Sequence, residues 1–262
     1  MKLALLLLLL PSIAVANPLR HEDALLVRPE LVSVTAARFV PKGNALVEES
    51  REIRTYDATG HLVRQEHQKP DGSLVAAVDF VWAGGRIASH TYRDGTKRVE
   101  RRDFTYKVDA QGRIAEKILR DPAKPAGEYI RYAYSYDADG SHRIQAYRHY
   151  PKEGPYQSNV ELVDAQGRVS RSCREHGGCD MNEYDAHGAL VRIRQQTKDT
   201  HYYLSFETTY TAAGRVATRM LGNTQSSYTW NARGDVAEIV QRVIAAQGGA
   251  LQAKTIYTYR YR

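Results

Sequence analysis

The stretch YIRYAYSYDADG, residues 129–140, contains both signals that decide the fold of this chain. In its first eight residues, Ile130 and three tyrosines take the even positions, and Arg131, Ala133 and Ser135 lie between them. A period of two is typical of a β-strand, because successive side chains point to opposite faces. The last four residues, Asp-Ala-Asp-Gly, have the composition of a tight turn. The stretch therefore predicts a strand that ends in a hairpin corner.

The same corner recurs along the chain, each time ending in a glycine. Asp or Asn at its first position can accept a hydrogen bond from a backbone N–H two residues on. Gly then takes a left-handed conformation, which closes a hairpin with a one-residue bulge. The predicted turn residues are Asp57, Gly60, Gly85, Asp109, Gly112, Asp137, Gly140, Asp164, Gly167, Asp185, Gly188, Gly214 and Gly234.

These corners predict an all-β fold of tandem antiparallel hairpins over residues 51–262. Self-similarity at a period of about 20–50 residues indicates a repeat architecture, and we expect a curved or solenoid-like sheet. Residues 17–50 lack the corner. A repeat array needs a terminal unit to cover its first open strand edge, so we expect this segment to be an N-terminal cap.

The repeat resembles that of the YD-repeat, or RHS-repeat, family of secreted and cell-surface proteins. That repeat runs from Gly-Arg-Leu to Tyr-Asp-x-x-Gly. Here Gly167-Arg168-Val169 leads to the corner YDAHG at residues 184–188, although other corners lose the Tyr or the Asp. Large members of the family resemble closed β-shells that enclose a toxin. This sequence stops one residue after Tyr261, so we expect a short member without a toxin domain.

The N-terminus predicts export. Lys2 precedes an unbroken apolar run, and Ala14-Val15-Ala16 has the small-x-small pattern that signal peptidase accepts. We therefore expect residues 1–16 to be a signal peptide, and the protein to be periplasmic or secreted after cleavage near Ala16-Asn17. The apolar run is too short to span about 30 Å of hydrocarbon, so stable membrane insertion is not expected.

Composition and charge narrow the function classes. Lys+Arg 37 against Asp+Glu 30 gives a net charge of +7, with the two signs interleaved. Nucleic-acid binders cluster their basic residues on one face, so nucleic acid is not an expected partner. Tyrosine is the main aromatic residue, with 18 Tyr against 4 Phe and 2 Trp. Tyr favours strands, and its ring can cover apolar surface while its hydroxyl stays in contact with water. This composition indicates thin or half-exposed β layers.

Cys173 and Cys179 are the two cysteines of the chain and flank a Gly-Gly turn. In an oxidising compartment such a pair can form a disulfide across a hairpin, which is the expected state. The alternatives are a metal site that adds His176 and His187, and a pair of free thiols. Structural zinc sites usually show Cys-x(2–4)-Cys pairs, and this set does not match them. No metal or other cofactor is expected.

Catalytic motifs are absent from the sequence. There is no Gly-x-Ser-x-Gly elbow, phosphate loop or dinucleotide fingerprint. The repeated aspartates have a sufficient role as turn residues, so no catalytic residue is assigned and we expect a protein that is not an enzyme.

The tyrosine-rich strands form the expected ligand surface. Its residues are Tyr132, Tyr134, Tyr136, Tyr257, Tyr259 and Tyr261. The alternative is that these rings are the packing face of the sheet itself.

The function that the sequence favours is an exported, non-enzymatic β-repeat scaffold or binding protein of the cell envelope. Its expected partner is an envelope polysaccharide or another exported protein. The alternatives are a module that binds glycan or peptidoglycan, a small envelope hydrolase, and a partner or immunity-like protein of a toxin system. The last of these follows from the family resemblance alone.

Overall fold

The computed structural model describes residues 27–150, 153–174, 177–186, 188, 190–196, 202–244 and 250–262. The expected signal peptide and residues 17–26 of the expected cap lie outside this part of the chain. The described residues form an all-β structure of 18 strands. The strands are β1 Leu31–Lys42, β2 Ala45–Tyr56, β3 Leu62–Gln68, β4 Leu74–Ala83, β5 Arg86–Asp94, β6 Lys97–Val108, β7 Ile114–Arg120, β8 Tyr129–Tyr136, β9 His142–Tyr150, β10 Gly154–Val163, β11 Val169–Arg174, β12 Cys179–Tyr184, β13 Leu190–Gln196, β14 Tyr202–Tyr210, β15 Val216–Leu221, β16 Thr224–Trp230, β17 Val236–Val243 and β18 Ala250–Tyr261.

The strands form one antiparallel sheet that closes on itself. Each strand pairs with the strands before and after it, and β18 pairs with β1, with Val34 opposite Tyr259 and Ala36 opposite Tyr257. The prediction of an all-β antiparallel fold is confirmed. Of the expected curved or solenoid-like forms, the sheet is curved: its last strand meets its first, so it is a closed barrel and not an open solenoid. Closure gives every strand a partner on both sides over at least part of its length.

The barrel has two different ends. The eight corner turns all join an even-numbered strand to the next odd-numbered one, so they lie together at one end, the corner end. The other connections lie at the opposite end, the rim. They include tight turns at Gly43, Gly95 and Gly222 and a longer loop over residues 121–128.

The two faces of the sheet differ in burial. The strand registers place Val34, Ala76, Ala146, Ile239 and Ala253 on one face, and following the pairs round the ring returns to the same face. All the buried apolar residues of the described chain except Ala77 lie on this face. It is therefore the inner face of the barrel, and the opposite, outer face carries most of the exposed polar side chains.

Charged rows cross the outer face from strand to strand. Asp79 on β4 binds Arg64 on β3 and Arg93 on β5, the latter at 2.6 Å. Rows of the same kind join Lys107–Glu116–Arg131 across β6, β7 and β8, and Glu183–Arg192–Glu207 across β12, β13 and β14. Opposite charges facing each other across strands stabilise pairing by roughly 0.2–1 kcal/mol each. These rows help to fix the register of neighbouring strands.

The seam between β18 and β1 is reinforced at the corner end. The N–H of Arg262 donates to the carbonyl of Glu30 at 3.1 Å. Its guanidinium donates to the carbonyls of Pro29, Leu31 and Asp57. The part of the expected cap that is described thus contributes β1, which lies between β2 and β18. Within the described residues, no helix is long and apolar enough to cross a membrane.

Candidate binding site

The corner residues are occupied in building turns. All eight corner glycines have positive φ, between 72° and 88°. At the corner of Asp109, one carboxylate oxygen accepts the backbone N–H groups of Gln111 and Arg113, both at 2.9 Å. Asp57 and Asp164 accept the equivalent pair of N–H groups, and so does Asn231. These side chains therefore hold the hairpin turns in place.

An aromatic side chain links each corner to the next. The Tyr136 hydroxyl donates to the carbonyl of Ile114, two residues after Gly112, at 3.0 Å. We call this hydrogen bond a corner latch. Equivalent latches join Trp82 to Leu62, Tyr106 to Ile87, Tyr184 to Val169, Tyr210 to Leu190, Trp230 to Val216 and Tyr259 to Val236. The latch explains why an aromatic residue with a donor group recurs in the repeat.

The residue after the corner glycine covers the ring of the latch. The Arg113 guanidinium lies 4.1 Å from the centre of the Tyr136 ring, and Arg168 lies 4.8 Å from that of Tyr184. Arg86 and Arg215 stack in the same way on Tyr106 and Trp230, and His61 stacks on Trp82 at 4.4 Å. The Gly-Arg-aliphatic part of the repeat thus supplies a cation over the ring and a carbonyl for its donor group.

One repeat departs from this rule. Val163 stands before its corner and has no group to donate, while His142 takes the position that carries an aliphatic residue elsewhere. His142 is 2% exposed and stacks on Tyr136 at 5.0 Å between ring centres. The latched ring of Tyr136 is therefore covered on both of its faces.

Several tyrosines of the expected ligand surface are hydrogen-bonded within the protein. The Tyr259 hydroxyl is latched, and the Tyr261 hydroxyl donates to the Asp235 carboxylate at 2.6 Å. Burial raises the pKa of Tyr257 and of Tyr259.

The other expected tyrosines also lie on the inner face, in β8. The Lys117 ammonium lies 4.6 Å from the centre of the Tyr132 ring. Tyr134 lies between Tyr132 and Tyr136, opposite Ile144. The structure therefore places all six tyrosines on the inner face and involves most of them in its packing.

Cys173 and Cys179 form the expected disulfide, which is confirmed. They lie opposite each other in β11 and β12, on the outer face, with their Cα atoms 4.1 Å apart. Because His176 and His187 lie outside the described residues, the alternative metal site is not visible. Over the part of the chain that the structure describes, no group of three or more His, Cys, Asp or Glu side chains could hold a metal ion.

A concave site that the sequence analysis did not identify lies in the rim. It is a cleft of about 240 Å³ between β6 and the ends of β8 and β9, beneath the loop of residues 121–128. Its walls come from Val99, Glu100 and Arg102 on one side and from Tyr129, Ile130, Arg148, His149 and Tyr150 on the other. Inner-face and outer-face residues both line this cleft, so it is a notch through the rim. The Pro-rich loop DPAKPAGE, residues 121–128, is the sequence signal that could have indicated it.

Most charges in this rim cleft are already paired. Arg102 binds Glu100 on the same strand, and the Lys124 ammonium lies 3.6 Å from the Glu128 carboxylate. Asp121 accepts the N–H of Ala123 at 2.9 Å. Arg148 is exposed and has no ion-pair partner among the residues that the structure describes. Among the described residues that line the cleft, Arg148 is thus the cation without an ion pair, and Asp121 is the carboxylate without one.

The aromatic rings of the rim cleft are stacked within the protein. The Tyr129 ring lies 4.1 Å from the His149 ring on the β9 side and 5.0 Å from the Arg120 guanidinium on the β7 side. Tyr150 stacks on Tyr156 at 5.8 Å. Burial and the neighbouring Arg131 lower the pKa of His149. The lowered pKa favours the neutral form of His149.

No protein-family model matches the chain, and no curated protein has significant sequence similarity to it. Weak structural similarities are found. A porin-like protein from Bacteroides uniformis is 14% identical, with a TM-score of 0.43, over 89% of this chain and 100% of that one. TcdB2-TccC3-Cdc42 is 14% identical, with a TM-score of 0.34, over 80% of this chain and 13% of that one. TcdB2-TccC3-TEV gives 11% identity and the same TM-score, over 85% of this chain and 14% of that one.

Proposed function

We propose that this chain is an exported, non-enzymatic binding protein of the cell envelope, in which the closed barrel is the scaffold and the rim cleft binds the ligand. The observation that carries the proposal is the rim cleft itself. It combines a concave shape, an unpaired Arg148 and a wall of partly buried aromatic residues. The repeated polar groups of the corners instead form hydrogen bonds within the turns and latches.

Export is supported by the disulfide. A Cys173–Cys179 bond persists in oxidising compartments and is rare in the cytosol. Together with the signal-peptide pattern of residues 1–16, it favours a periplasmic or secreted protein. Cell fractionation, with the mass of the purified mature chain, tests this. A chain that keeps residues 1–16 and stays in the cytosol would contradict it.

The hydrolase alternative has one observation in its favour, because Glu100, Asp121 and Glu128 line the same concave site. Glycosidases use two carboxyl groups, one of which must donate a proton. Here Glu100 and Glu128 are each bound to a cation, and Asp121 caps its own loop. This arrangement suits a structural role, so non-enzymatic binding remains the better-supported function.

The glycan-binding alternative is less well supported by the ring contacts. Sugar binding by stacking needs an open aromatic face. Both faces of Tyr129 are covered, and Tyr150 already stacks on Tyr156.

A pull-down from a purified envelope fraction tests the proposed function. We expect at least one component to be retained by the wild-type protein and lost with Arg148→Glu. The matched control is Arg143→Glu, at an exposed arginine of the same strand on the outer face. Retention that is equal for all three proteins, or absent from all, would contradict binding at the rim cleft. Release of soluble sugar from peptidoglycan by the wild type but not by Glu128→Gln would instead support the hydrolase.

A further inference from the structure

The rim cleft lies beside a strand edge that no other strand covers. β7 pairs with β6 over Asp103–Val108 and ends at Arg120. The remaining half of β6, residues 97–102, pairs with β5 on its other side. Its side toward β7 therefore faces the cleft. An uncovered strand edge offers backbone N–H and C=O groups at the spacing of another extended chain.

The loop above the rim cleft satisfies its own backbone instead of covering this edge. The N–H of Lys124 donates to the carbonyl of Asp121 at 3.0 Å, and the N–H of Glu128 donates to that of Pro125 at 2.9 Å. Pro122 and Pro125 have no N–H to give to a strand ladder. The loop thus forms a wall of the cleft and leaves the edge of β6 accessible from the rim.

The side chains around this edge indicate what kind of chain fits it. Val99 is 54% exposed and offers an apolar contact. Arg148, on the opposite wall, has no ion-pair partner among the described residues, and a planar guanidinium binds a carboxylate with two parallel hydrogen bonds.

We infer that the rim cleft binds an extended polypeptide segment that pairs with the open edge of β6 and places a carboxylate against Arg148. This inference rests on the proposed function and names its ligand class. A polypeptide is favoured over a sugar because the edge presents repeating backbone groups, while the nearby rings are already stacked. The carboxylate comes either from an acidic side chain or from a free C-terminus.

A fluorescein-labelled hexapeptide of alternating serine and valine, ending in aspartate with a free C-terminus, is a suitable probe. We expect saturable binding by fluorescence anisotropy with a Kd below about 1 mM. Arg148→Gln should raise the Kd about tenfold through the lost charge-assisted hydrogen bonds, and Arg143→Gln should leave it unchanged. Probes with an amidated C-terminus or with asparagine in place of aspartate show which carboxylate is used.

Backbone pairing is tested separately from charge. A probe that is N-methylated at every residue keeps its side chains and loses its backbone donors, so its binding should be lost. Amide exchange at residues 97–102 should slow when the unmodified peptide binds. Equal binding of the methylated probe, unchanged exchange, or no saturable binding at all would overturn the inference. If the envelope pull-down still depends on Arg148 in that case, the proposed function stands with a different ligand.

Discussion

Gly60 and Gly112 occupy the same position of the corner, but their surroundings differ. Both have positive φ, 88° and 76°. A Cβ atom added to Gly60 would lie 2.3 Å from the Cα of Pro29, in the segment that leads into β1, whereas one added to Gly112 meets nothing within 4 Å. The Gly60 corner therefore needs glycine for space as well as for conformation.

The pair gives a matched test at the residue scale. Gly112→Ala should reduce the free energy of unfolding by about 1–2 kcal/mol, the cost of a left-handed alanine. Gly60→Ala should cost clearly more, because the backbone at Pro29 must also move. Urea denaturation measures both values. Equal losses would show that the contact with Pro29 does not constrain the corner.

Asp109 gives a second test at this scale, based on pH. Although desolvation by itself would raise the pKa of Asp109, hydrogen bonds from the Arg113 side chain and from two backbone N–H groups lower it below its ordinary 3.8. A lowered pKa contributes stability that is present above about pH 4 and is lost as the pH falls through the folded value. Asp109→Asn keeps an acceptor, as Asn231 shows, but does not titrate.

We therefore expect the melting temperature of the wild type to fall more steeply than that of Asp109→Asn between pH 5 and pH 2. Thermal denaturation followed by circular dichroism at several pH values measures this. Parallel curves for the two proteins would contradict a role of the Asp109 charge in stability.

At the scale of elements, the corner latches tie adjacent hairpins together. The Tyr136 latch joins β8 to the start of β7, beside the corner of Gly112. A hydrogen bond of this kind contributes about 0.5–1.5 kcal/mol. Tyr136→Phe should therefore lower the melting temperature by about 2–4 °C, while keeping the stacked ring. Tyr147→Phe on the outer face of β9 is the control, and an equal loss there would argue against a specific contribution of the latch.

A sequence pattern predicts an element only when the interaction behind it acts between residues that are close in the chain. Alternation and the corner of residues 137–140 act over a few residues, so they indicate hairpins directly. Closure depends on the pairing of β18 with β1. The sequence near Tyr259 contains no local pattern that predicts its pairing with Val34. The rim cleft depends on unequal strand lengths, with 12 residues in β6 and 7 in β7, which corner spacing does not resolve.

At the scale of the whole molecule, the seam decides whether the sheet is a ring. Arg262 connects the two sides of its corner end, since its side chain donates to the carbonyls of Pro29, Leu31 and Asp57. Arg262→Ala should therefore accelerate amide exchange in β1 and β18 and leave β8 and β9 unchanged. Hydrogen exchange followed by mass spectrometry measures this, and uniform exchange across all strands would contradict a local seam.

Because the sheet is closed, the same ring of strand pairs could form with the chain ends at a different turn. The backbone of Arg262 lies within hydrogen-bond distance of Glu30, so the two ends of the described chain meet at the seam. A short peptide between them would turn the seam into one more connection, and the chain could then be opened at another turn without breaking a strand pair. The number of hairpins is fixed instead. Removing one would shorten the circumference by two strand spacings, about 9–10 Å, and every remaining strand would have to tilt to close the gap.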